Sequence, residues 1–142
     1  MAYQIVVFAE NRPGRLEKIT GVLAEAGINI RAITVASSDG FGVVKLLVDR
    51  PGEAVMRLKE AGLSASLQEV LAVPMEDRPG GLHEVLQVFA EKGINLQDAY
   101  GFVEEPGRRA ILVVEVEDIE GAKKSLKEAD LPPIADDELY SL

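Results

Sequence analysis

A chain of 142 residues with 24 acidic and 15 basic side chains carries a net charge of −9, which argues against nucleic acid and an anionic membrane surface as partners. The absence of cysteine excludes disulfides, thiolate metal sites and a cysteine nucleophile. Apolar residues make up 47% of the chain, enough for hydrophobic cores. No run approaches the ~18 continuous apolar residues of a membrane span. Met1-Ala2-Tyr3-Gln4 lacks the basic start and long apolar run of a signal peptide, so a cytoplasmic location is expected.

Ile5 to Ala9 is a β-branched apolar run that reads as a buried strand. Glu10-Asn11-Arg12 stops it. Pro13 suits the first turn of a helix, with Asn11 as its cap, and Leu16, Ile19, Val22 and Leu23 mark one helical face. Gly27 closes that helix. Ile28 to Ala36 is the next strand, and its apolar alternation slips by one residue near Arg31, which predicts a bulge. Ser37 to Gly40 is a turn, Val43 to Val48 the strand that completes a hairpin, and Pro51 opens a helix that Gly62 ends. Ser64 to Val73 is extended.

The order then repeats. Val70 to Met75 is a strand, and Leu82, Val85, Leu86 and Phe89 form a helix face. Ile94 to Val103 and Ala110 to Val116 form a hairpin with a longer turn, and Ile119, Ala122, Leu126 and Ala129 mark a last helix. A short terminal strand is expected at Glu138 to Leu142. The chain thus reads as two units, residues 1–69 and 70–142, each βαββαβ. The class is α+β: two ferredoxin-like units, each an antiparallel four-stranded sheet with two helices on one face, packed together. Val43-Val44, Leu46-Leu47-Val48 and Ile111 to Val114 are apolar in both strand phases. The helix-free face of the sheet, or an edge, must therefore be covered too, most simply by another unit.

Side chains able to do chemistry are sparse. His83 is the one histidine and stands at an unrepeated helix position, which reads as solvent-facing rather than catalytic. Pro79-Gly80-Gly81 is too short for a nucleotide phosphate loop. The acidic clusters, Glu104-Glu105 and Asp136-Asp137-Glu138, read as solvated surface rather than a metal site. No catalytic residue, metal or cofactor is expected.

One stretch does recur with its spacing kept: Glu10-Asn11-Arg12-Pro13-Gly14-Arg15-Leu16 and Glu76-Asp77-Arg78-Pro79-Gly80-Gly81-Leu82, each leading to a Gly-Ile-Asn at 27–29 or 93–95. A strand here hands over to a helix N-terminus whose N–H groups lie at the positive end of the dipole, a setting suited to a carboxylate. The alternative is that Pro-Gly only shapes a tight turn. Asn29 and Asn95 are candidates to bond a ligand, or simply to satisfy local backbone.

The doubled pattern Asn11/Asp77-Arg-Pro-Gly-x-Leu, helix, Gly-Ile-Asn resembles the ACT domain, a small-molecule-binding regulatory module, across almost the whole chain. The resemblance implies amino-acid binding where ACT units pair, in control of amino-acid metabolism. Carried over, the ligand residues are Asn11, Arg12, Gly14, Arg15 and Leu16 in one unit and Asp77, Arg78, Gly80, Gly81 and Leu82 in the other. Asn29 and Ile30, or Asn95 and Leu96, line the opposite wall. Leu16, Leu82, Ile30 and Leu96 suggest an aliphatic ligand side chain, or serve the core. Asn11 departs from the family's Asp, and Arg15 aligns with Gly81, so the two sites differ. The expected partners are a small amino acid, a second copy of the chain, and an amino-acid biosynthetic enzyme or regulator. The alternatives are a ligand-independent scaffold and, on the same architecture, a small hydrolase of the acylphosphatase sort.

Overall fold

In the computed structural model, which describes residues 1–142, β1 (Ala2–Glu10) buries Ile5 and Val7 on one face. It pairs antiparallel with β3 (Phe41–Val48), Val7 opposite Val44, and β3 pairs with β2 (Ile30–Ser38). Asp39 and Gly40 both adopt positive φ, 52° and 82°, as a two-residue type I′ turn requires. The register slips between Ile30 and Ala32, which puts the expected bulge at Arg31. α1 (Arg15–Glu25) and α2 (Pro51–Glu60) lay Ile19, Leu23, Ala54, Val55 and Leu58 over Ile5, Val7, Val44, Leu46 and Val48. This first unit comprises Tyr3–Gln68 and Tyr140–Leu142. Its fourth strand is the start of β4 (Ser64–Glu76), where Gln68 Oε1 accepts a hydrogen bond from the buried Gln4 Nε2 at 2.7 Å.

The second unit comprises Glu69–Leu139 and Met1–Ala2. Here β4 pairs with β6 (Arg109–Glu115), and β6 with β5 (Asp98–Glu105), all antiparallel. α3 (Gly81–Glu91) and α4 (Ile119–Glu128) place Val85, Phe89, Ala122 and Leu126 over Leu71, Val73, Leu112 and Val114. Both units are thus ferredoxin-like, with the helices on one sheet face. No helix is long and apolar enough to cross a membrane.

The expected terminal strand is not formed. Asp136–Tyr140 is a short helix, α5, whose first turn holds Asp136, Asp137 and Glu138, charges that favour a helix N-terminus. This stretch bears on the question raised by the doubly apolar β6, whose Ile111 and Val113 are buried although they face away from the helices. Ile134 N–H donates to Ala72 O at 2.8 Å, Glu138 pairs with Arg109 at 3.0 Å, and Leu139 is fully buried. A segment of the second unit's own chain thus reaches its helix-free face at Arg109.

All four long helices stop in the same way. Ile28 N–H reaches back to Leu23 O and Gly27 N–H to Ala24 O, the paired bonds of a Schellman motif, and the pattern recurs at Gly62, Gly93 and Asp130. Asp130 alone holds the left-handed conformation (φ 59°) without being glycine. Replacing Asp130 with glycine is expected to stabilise the protein by about 0.5–1 kcal/mol, a rise of roughly 1–4 °C in Tm. A calorimetric scan of the variant checks this.

Candidate ligand-binding loops

Both copies of Arg-Pro-Gly-x are type II turns. Arg15 N–H donates to Arg12 O at 3.3 Å, and Gly81 N–H to Arg78 O at 3.0 Å. Gly14 (φ 88°, ψ −8°) and Gly80 (φ 86°, ψ −11°) occupy the third position, where φ must be positive, and proline takes the second. This corrects the expectation that Pro13 lies inside the helix with Asn11 as its cap. Proline precedes the helix, glycine is the N-cap residue, and no side chain caps either helix. Lys18 and Glu84 N–H return to Gly14 and Gly80 O at 3.0 Å. The N–H groups of Leu16 and Glu17, and of Leu82 and His83, lie in these uncapped first turns, at the positive ends of the dipoles.

The residue before each Arg-Pro-Gly ties the loop to a hairpin tip. Asn11 N–H donates to Gly40 O at 2.7 Å, and Asp77 N–H to Arg108 O at 3.1 Å. The longer second hairpin adds a bond: Gly107 N–H donates to Asp77 Oδ2 at 2.8 Å. Beyond this the loops diverge. Arg12 makes one exposed contact, with Glu10 at 3.3 Å. Arg78 donates through Nη2 to both carboxylate oxygens of Glu84 at 2.7 Å, through Nη1 to Pro79 O at 3.2 Å, and through Nε to Glu76. The hydrogen bonds it donates to Glu84 and then to Glu76 hold its pKa above the usual arginine value.

Asn11, Arg12, Gly14, Arg15 and Leu16 converge on one cavity of about 300 Å³, floored by Val35, Gly42 and Val44. Those three floor residues were not singled out from the sequence. Leu16 and Leu82 are 43% and 46% exposed, so neither serves the core. Ile30 and Leu96 instead pack partly against the two cores. In the second loop Asp77, Arg78, Gly80 and Leu82 stay together by sequence, while Gly81 lines a space of about 570 Å³ between α3 and the end of α4. In the first unit the aligned Arg15 reaches the matching place, beside Gly62 and Leu63, and its Nε is buried without a hydrogen bond.

Asn29 and Ile30 are not brought to the loop of their own unit. They lie at the far end of α1, whose 11 residues span about 16 Å. Asn29 N–H donates there to Asp49 Oδ1 at 3.1 Å, and Asn29 O accepts from Asp49 N–H at 3.2 Å. Asn95 likewise lines a separate cavity of about 360 Å³ between the end of α3 and the start of α4. His83 is exposed, and no three acidic or histidine side chains converge where a metal could be held.

Two ferredoxin-like units, each with a glycine N-cap and no side-chain cap at the helix start, define the class, and residues 1–142 match the ACT domain pair; the chain belongs to that family. It is similar to the protein BT0572 from Bacteroides thetaiotaomicron, at 29% identity and a TM-score of 0.91, over 99% of this chain and 96% of that one. The regulatory subunit of aspartate kinase from Thermus thermophilus, in ligand-free form, shares the fold at 22% identity and a TM-score of 0.66, over 89% and 91% of the two chains. Its counterpart from Thermus flavus does so at 21% and 0.60, over 90% and 92%. None of the curated proteins matches.

Proposed function

We propose that the chain is a non-catalytic regulatory module that binds a small amino acid and signals its level to a cytoplasmic enzyme or regulator of amino-acid metabolism. The observation that carries this is the loop itself. A type II turn delivers a helix whose first N–H groups no side chain occupies, beside a cavity with an apolar floor and Arg12 at its rim. The ligand carboxylate meets the helix start and Arg12, and an aliphatic side chain lies over Leu16, Val35 and Val44. Similarity to chains described as regulatory subunits of aspartate kinase agrees with control of a partner enzyme. Since Asn29 and Ile30 lie a helix length from the loop of their own unit, a second copy of the chain in a homodimer supplies the other wall.

A thermal-shift series with the twenty L-amino acids, one at a time, tests the reading. A ligand that binds only the folded chain raises Tm, by the equivalent of about 2.7 kcal/mol at a hundred times its Kd. One or a few amino acids should do so. No shift with any of them at millimolar concentration would favour the ligand-independent scaffold.

A further inference from the structure

The two loops share a backbone but not an electrostatic character, and we propose that only the first receives the ligand, one amino acid per chain, while the second is locked as a structural copy. This rests on the binding reading above. Residues 10–18 carry Arg12, Arg15 and Lys18 against Glu10 and Glu17; residues 76–84 carry Arg78 alone against Glu76, Asp77 and Glu84. A carboxylate approaching the first loop meets a net positive charge, and one approaching the second meets a net negative one.

The second loop's arginine is also spent. Its guanidinium holds Glu84 with both oxygens at 2.7 Å, together with Glu76 and Pro79 O, so the group that would grip a ligand carboxylate already grips the protein's own. Asp77, the side chain that would meet a ligand ammonium, accepts from Gly107 N–H of the longer hairpin. The equivalent of Glu84 in the first unit is Lys18, which is exposed and has no carboxylate partner, so Arg12 keeps only its contact with Glu10 at 3.3 Å. Eight residues of the first loop, Glu10 to Glu17, line the space beside the first turn. One exchange of sign, Lys18 against Glu84, separates an open arginine from a closed one.

The test is a titration of the ¹⁵N-labelled full chain with sodium acetate, at ionic strength held constant with sodium chloride, following backbone amides by NMR. Leu16 and Glu17 should shift along a saturating curve, with Leu82 and His83 at least tenfold less responsive. Glu84→Lys should bring Leu82 and His83 into the titration, and Lys18→Glu should remove Leu16 and Glu17 from it. Equal response at both loops, or response at the second only, would overturn the inference and leave loop binding standing. No saturating shift at either loop would overturn both.

Discussion

Replacing Gly81 with alanine should destabilise the protein by roughly 3 kcal/mol, a fall of about 6–12 °C in Tm. A Cβ at this position would stand 2.0 Å from Glu76 O and 3.1 Å from its carbonyl carbon, so the strand end or the helix start must move. Both are pinned: Glu76 is paired with Arg109 in the ladder, and Gly81 N–H closes the turn onto Arg78 O. Arg15→Ala, at the aligned position, removes a side chain from a site that already accepts a Cβ and should cost far less. Urea titrations of the two variants compare them directly. A Gly81→Ala protein within about 0.5 kcal/mol of the parent would refute the close approach.

The second large effect concerns binding. Gly14→Val with Gly80→Val should abolish amino-acid binding, a loss of more than a hundredfold, since each valine stands over an uncapped helix start. Both glycines sit near φ +87°, where a β-branched residue costs on the order of 1–3 kcal/mol, so both single variants melt earlier by a similar amount. That shared cost makes each the other's control. Calorimetry with whichever of the twenty L-amino acids shifts the parent should find binding lost in Gly14→Val and kept in Gly80→Val. Unchanged affinity in the double variant would remove the loops from the mechanism.

Much of this was visible in the residues because local signals agreed. β-branched runs marked β1 and β3, Ser37 to Gly40 marked the hairpin turn that the structure narrows to Asp39-Gly40, and the apolar slip near Arg31 marked its bulge. Proline misled for a definable reason. The first turn of a helix and the second position of a type II turn both need φ near −65°, so Pro13 satisfies either. Only the positive φ of Gly14 separates them. The terminal segment misled because its fate depends on Ala72 and Arg109, distant in the chain, and no local pattern reports them. Likewise the repeat exposed both loops, but the closing of Arg78 depends on a turn that brings Glu84 back across it. Lys18 opposite Glu84 was the legible trace of that difference.

The segment that reaches β6 at Arg109 also matters before the fold is complete. Ala110 to Val114 is a run of five apolar residues in a strand, the composition of a segment that pairs with copies of itself. Its outward residues, Ile111 and Val113, are buried in the finished fold, and the α5 segment that pairs with Arg109 beside them is made later in synthesis than the strand. During that interval the nascent chain shows a sticky β surface, guarded only by Arg109 and Glu115 at its ends. Ile134 and Leu139, which are buried only once this late segment has docked, are therefore expected to limit aggregation as well as to add stability.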